Sequence, residues 1–198
     1  MAASPLSPSR LNALTDGIFA IAMTLLVLDL KDAVPEPTSV RILWMQLWPH
    51  LASYGLSFII LGLFWNGQHI AAHYVQRTDR THLWLNIAFL GVAALIPYSA
   101  SLLSGHFGET LPVMVYGINL IVTAAVFLGA WIYATTNRRL TAADLPESTV
   151  RALKRRMYAA IGSYLVAMTV ALFAPALGLL VFLLGHVLFV SQPVTKAA

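Results

Sequence analysis

Long apolar stretches recur along this chain from residue 18 to residue 190, and ionised residues are almost all confined to the segments between them. That arrangement constrains the fold more than any other feature. A run of about 20 apolar residues matches a hydrocarbon core about 30 Å thick. In lipid every backbone N–H and C=O must find a partner within the protein, so such runs form helices. Of 198 residues, 59% are hydrophobic and 10% are charged, whereas a soluble domain carries about 25% charged residues. Mean hydropathy is +0.76. Too few polar side chains exist to cover this chain in water, so its solvent is lipid. Cysteine is absent, which excludes disulfides, thiolate metal sites and cysteine nucleophiles. The pI of about 9.6 does not point to nucleic acid, because the basic residues sit between apolar runs, where they report topology.

The runs predict an all-α integral membrane protein with six transmembrane helices, at 11–30, 44–73, 81–103, 111–135, 157–173 and 177–190. Pro35-Glu36-Pro37 breaks the chain after the first, Pro49 lies near the start of the second, and Pro97 predicts a kink in the third. Ala174-Pro175 ends the fifth, and so short a link makes the last two spans an antiparallel hairpin. The N-terminus lacks the pattern of a cleavable signal peptide. Residues 1–9 are expected to be a disordered tail, 10–192 one six-helix domain and 193–198 a C-terminal tail. Residues 137–150 form the only sizeable cytoplasmic connection.

With the N-terminus in the cytoplasm, ten of the 12 Lys and Arg residues fall on the inner side, including the Arg151–Arg156 block and Lys196. Only Lys31 and Arg41 fall outside. The positive-inside rule therefore puts both termini in the cytoplasm of a multi-pass protein of the cell membrane. Trp44, Trp48, Trp84 and Trp131 lie near span ends, as in an aromatic belt.

Polar residues inside the spans carry the functional information. At 100° per residue, Gly17, Ile21, Thr24, Leu25 and Leu28 share one side of the first helix. Asp16 lies about 140° from Ile21. By spacing alone, the Ile21–Leu25–Leu28 stripe fits ordinary core or lipid contact. A carboxylate in a membrane helix is costly and marks a functional site by default. The second helix supplies donors for Asp16 in the Trp65 indole and the His69 imidazole. Asn86 of the third helix lies at the same depth, and Arg10 can neutralise the charge. These residues, with Thr15, predict a cytoplasmic-side network of Arg10, Thr15, Asp16, Trp65, His69 and Asn86. His69 and His73 have the spacing of a two-histidine metal pair, but no carboxylate completes it, so no metal is expected. No Gly-x-Ser-x-Gly turn is present, and no catalytic residue is assigned.

The segment Arg10-x-x-x-Leu14-Thr15-Asp16-Gly17-Ile18-Phe19-Ala20-Ile21-x-x-Thr24-Leu25 resembles the first-helix motif of the bacterial transmembrane protein 175 potassium-channel family. Tyr54, Ser57-Phe58, Trp65 and His69 fit its second-helix pattern, and Leu83-Trp84-Leu85-Asn86 and Pro97-Tyr98 its third. Leu14 and Thr15 replace the family's usual Phe-Ser; threonine keeps the hydroxyl. The resemblance covers about residues 10–100.

It implies a homotetramer of six-helix subunits, in which this chain is one repeat and the first helix of each copy lines a central pore. Ile21, Leu25 and Leu28 would then be hydrophobic pore rings, with Thr24 beside them. It further implies passive downhill conduction of potassium through a hydrophobic constriction. No Thr-Val-Gly-Tyr-Gly filter occurs, and no cofactor is needed beyond the permeant ion. The expected partners are other copies of the chain, the bilayer and potassium, with no nucleic acid. The alternatives are a secondary cation or proton transporter, which would need inverted repeats and broken helices, and a proton-leak channel.

Overall fold

The computed structural model describes residues 8–32 and 39–190. Residues 1–7 of the expected N-terminal tail, the Pro35-Glu36-Pro37 break, Lys196 and the tail 193–198 lie outside the described residues. Among the described residues the elements are α1 (Pro8–Leu25), α2 (Leu28–Asp32), α3 (Val40–Tyr74), α4 (Arg80–Ala93), α5 (Ile96–Gly105), α6 (Thr110–Thr135), α7 (Glu147–Ala171) and α8 (Pro175–Val190). Four segments are long and apolar enough to cross a membrane: Pro8–Lys31, Val40–Tyr74, Arg80–Gly105 and Thr110–Arg138. Pro175–Gly185 is a shorter apolar helix.

Contacts between successive spans run in opposite sequence order, so the chain alternates up and down. Asp16 meets Trp65 while Asp29 meets His50. Gln68 and Ser53 meet Asn86 and Ala100. Phe89 and Val92 meet Phe127 and Asn119. Trp131 and Gly117 meet Val150 and Met168. Gly178 and Gly185 pack on Ala171 and Ser163, giving the expected α7–α8 hairpin. This order gathers Arg10, Arg77, Arg80, Arg138, Arg139 and the Arg151–Arg156 block at one end of the bundle, with Lys31 and Arg41 at the other.

Two aromatic clusters fill the core. Phe89 stacks on Phe127 at 5.1 Å and meets Phe19 and Phe64 at 5.9 and 6.3 Å. Phe182 of α8 sits between Tyr116 and Tyr164, at 5.8 and 5.9 Å. The first cluster seats α1 against α3, α4 and α6. The second seats the hairpin.

Several boundaries differ from the sequence reading. Pro8 and Ser9 are not tail but the first residues of α1; a proline there gives up an N–H that no helix bond would use. The first span is not continuous, since it breaks at Leu26–Val27. Thr24 Oγ1 donates to the Ile21 carbonyl at 2.8 Å, and the Val27 N–H bonds three residues back to Thr24. Such side-chain competition for helix carbonyls bends helices.

The third span breaks at Ala94–Leu95, just before Pro97. Its disturbed backbone is repaired from α6, where Asn119 Nδ2 donates to the Val92 carbonyl at 3.0 Å. The fifth helix starts ten residues earlier than the apolar run at 157. Val150, Leu153 and Met157 are buried beneath the basic block, an amphipathic spacing.

The 137–150 connection is folded, with Leu140 and Leu145 buried. Its Leu140 carbonyl accepts from the Gln76 N–H at 2.9 Å, and Arg138 Nη1 donates to the Leu145 carbonyl at 2.7 Å. At the other end, Gly108 turns the chain into α6 with φ +93°, a conformation that favours glycine.

Candidate functional site

The first span is buried along Leu11, Thr15, Phe19, Ala22 and Leu26, on the side that meets α3, α4 and α5. Its opposite face is exposed along much of its length. Ile21 is 59% exposed, Leu25 44% and Leu28 55%, against 1% for Phe19. Thr24 lies on the same exposed arc. Its hydroxyl proton is committed to the Ile21 carbonyl, so only oxygen lone pairs remain to face outward.

At the basic end of the bundle, Trp65 Nε1 donates to Asp16 Oδ1 at 2.9 Å. His69 stacks on the Trp65 ring at 5.6 Å. His73, four residues further along α3, packs edge-on against Tyr74. Asp16, Trp65 and His69 are all exposed in the chain.

The other three expected members lie elsewhere. Thr15 is buried and donates to the Leu11 carbonyl at 3.0 Å. Arg10 is exposed, and no ion pair joins it to Asp16 among the described residues. Asn86 belongs to a second, buried group. The expected single network is therefore two. Asp16 leaves α1 on the flank toward α3, whereas Asn86 points to the interior between α3 and α4.

Apart from Asn86, that group consists of residues the sequence reading did not single out. Asn86 Oδ1 accepts from Gln68 Nε2 at 2.8 Å, and Asn86 Nδ2 donates to the His82 carbonyl at 2.8 Å. Asp79 caps α4 through the His82 N–H at 2.8 Å and accepts from the Tyr133 hydroxyl at 2.7 Å. Arg139 lies 4.5 Å over the Tyr133 ring. Desolvation pushes the Asp79 carboxyl up. The His82 N–H, the Tyr133 hydroxyl and the charge of Arg139 outweigh it and hold Asp79 below the ordinary 3.8. The sequence signal for this cap was an Asp immediately before a helix start.

A third polar site closes the opposite end of α1–α2. Asp29 accepts from Ser101 and Ser104, each at 2.6 Å, and pairs with His50 Nδ1 at 2.8 Å. It pins the short helix that carries Leu28 to α3 and α5. In the sequence Asp29 lies simply at the end of the first apolar run. Its partners sit 21 to 75 residues away, and no local pattern announces them. Among the described residues no group of three or more His, Cys, Asp or Glu could hold a metal ion.

An up-and-down bundle of membrane-length helices, with polar clamps at both ends of an otherwise smooth first helix, defines a multi-pass helical membrane protein. A family model described as the endosomal/lysosomal potassium channel TMEM175 matches residues 10–97. A Streptomyces collinus protein named a potassium channel is 33% identical over 196 residues, covering 96% of this chain and 86% of its own. The chicken endosomal/lysosomal proton channel TMEM175 is 34% identical over 114 residues, 53% of this chain and 23% of that protein. Among solved structures, a lysosomal potassium-selective channel TMEM175 homolog from Chamaesiphon minutus superposes with a TM-score of 0.76 at 25% identity, covering 92% of this chain and 96% of that one. The chain belongs to the TMEM175 family, whose named members here are ion channels and not enzymes.

Proposed function

We propose that this protein is a homotetrameric, potassium-permeable cation channel whose pore is lined by the first span, α1 with the start of α2, with Ile21, Leu25 and Leu28 forming hydrophobic rings and Thr24 beside them. One observation carries the reading: these side chains lie exposed on the first span, in an arc that also holds Leu14 and Val27, while Leu11, Thr15, Phe19, Ala22 and Leu26 are buried on its other side. Lipid is a poor occupant for the whole of that exposed arc, because Asp16 at its flank is a carboxylate and a charge facing hydrocarbon costs at least about 2.5 kcal/mol. Exposed Asn66, His69 and His73 on the adjoining part of α3 make the same demand for water or a neighbouring subunit. The bacterial relative and the superposed structure, both named as potassium channels, support the choice of ion.

Four isoleucine side chains around one axis exclude water and close the path by dewetting, and a modest widening rewets it. Potassium sheds its hydration shell more easily than sodium, so an apolar constriction favours it without a carbonyl filter. The concentration of cations at the Arg10 and Arg151–Arg156 end supports placing that end, and both termini, in the cytoplasm of a cell-membrane protein.

A transporter reading would use carbonyls freed at broken helices to hold an ion. The break at Ala94–Leu95 is instead closed by Asn119. Proton conduction is the second reading, favoured by the proton-channel name of the animal relatives. Reconstitution into liposomes with imposed potassium or proton gradients separates them. The channel reading expects rapid downhill potassium flux that Ile21→Asn increases. Saturable coupled flux, or proton flux alone, overturns it.

A further inference from the structure

On the buried side of α1, away from the Ile21 stripe, a cavity lies between the foot of α1, the end of α3, the start of α4 and the end of α6. Its walls include Leu11, Asn12, Ala72, Thr78, His82 and Trp131. The space open to the centre of a water molecule is about 20 Å³, above the 10–15 Å³ that one water needs.

Two polar atoms on these walls are buried without a partner: His82 Nδ1 and Thr78 Oγ1. His82 is only 6% exposed. Its protonation state follows from its neighbours. The His82 backbone carbonyl can only accept, so the amide nitrogen of Asn86 must face it, as observed at 2.8 Å. The same nitrogen lies 3.2 Å from His82 Nε2, and a donor placed there requires Nε2 to be the acceptor. The ring proton of neutral His82 is thereby assigned to Nδ1. A buried N–H donor is left with no acceptor on a residue that lines a cavity large enough for water, and Thr78, whose hydroxyl is also unpaired, lines the same cavity. Leaving such groups unpaired is costly, and polar cavities of this size are the ones that hold ordered water.

We propose that this cavity is a hydration site, in which one or two ordered waters accept the His82 Nδ1 proton and bond the Thr78 hydroxyl. The waters complete a chain that runs from Gln68 through Asn86 and His82 to Thr78, joining α3 and α4 behind the foot of α1. The site is separate from the pore stripe and holds whether or not the protein conducts potassium.

The test combines a high-resolution map of the purified full-length protein with thermal unfolding of two variants. The expected map shows a density peak within hydrogen-bonding distance of both atoms. Thr78→Val keeps the shape and removes the hydroxyl. If a water bridges the site, the midpoint falls by about 2–4 °C, and Thr78→Ser, which restores the hydroxyl, keeps the wild-type value. If the cavity is dry, Thr78→Val removes an unpaired buried hydroxyl and the midpoint rises or stays unchanged. That result, or a map with no density there, overturns the proposal.

Discussion

Asp16 illustrates how far single residues can be read. A carboxylate and an indole N–H at matching depth on neighbouring helices are complementary and costly to leave unpaired, and they do meet at 2.9 Å. Asn86 lies near the same depth yet faces another way, because depth in the membrane follows from residue number whereas azimuth follows from packing. Arg10 was expected to neutralise Asp16 and instead stays exposed. The carboxylate thus depends on Trp65 rather than on charge pairing. Trp65→Phe should keep most of the packing and remove the donor, lowering the stability of the assembled protein by about 1 kcal/mol. Asp16→Asn, which retains an acceptor oxygen for Trp65, should cost less. Thermal unfolding monitored by size-exclusion chromatography ranks the two, and the opposite order would point to Asp16 acting through its charge.

At the scale of elements, hydropathy locates the spans because lipid demands apolar length, while the helix ends follow other rules. Pro97 made the break before α5 legible. The break after Leu25 was not, because a threonine bonding back to a carbonyl looks in sequence like any other threonine. The early start of α7 was hidden by its charges, although Val150, Leu153 and Met157 keep a helical spacing beneath them. The α7–α8 hairpin was legible from Ala174-Pro175, but the reason for its closeness is structural. A Cβ on Gly178 would lie 2.6 Å from the Ala171 Cβ and 2.9 Å from the Ala167 carbonyl oxygen. Small residues at such crossings let membrane helices approach. Gly178→Leu should therefore push α8 off α7, pull Phe182 from between Tyr116 and Tyr164, and sharply reduce the yield of folded protein. Gly91→Leu serves as the control, since a Cβ there meets nothing within 4 Å. Equal yields from the two variants would contradict the packing account.

The whole molecule holds α1 at both ends and leaves its middle smooth. Asp16 is held by Trp65 at one end and Asp29 by His50, Ser101 and Ser104 at the other. Between these clamps the face turned away from the subunit carries Ile21, Thr24, Leu25 and Leu28. The six runs and the first-helix motif made the fold class and family legible. The stripe alone could not be told from core or lipid contact, because those surroundings share one spacing pattern. The structure adds that the stripe is exposed in the chain, and the proposal assigns its partner as the same stripe on symmetry-related copies.

The chain contains no cysteine, so one introduced thiol reports its own surroundings. Ile21→Cys protein in membranes, treated with a short thiol-to-thiol cross-linker, should run as covalent dimers on a denaturing gel. Ala22→Cys, on the buried side of α1 at 3% exposure in the parent chain, should stay monomeric. Ile21→Cys that remains monomeric under the same treatment would place the stripe away from any symmetry axis and contradict α1 as the lining of a shared pore.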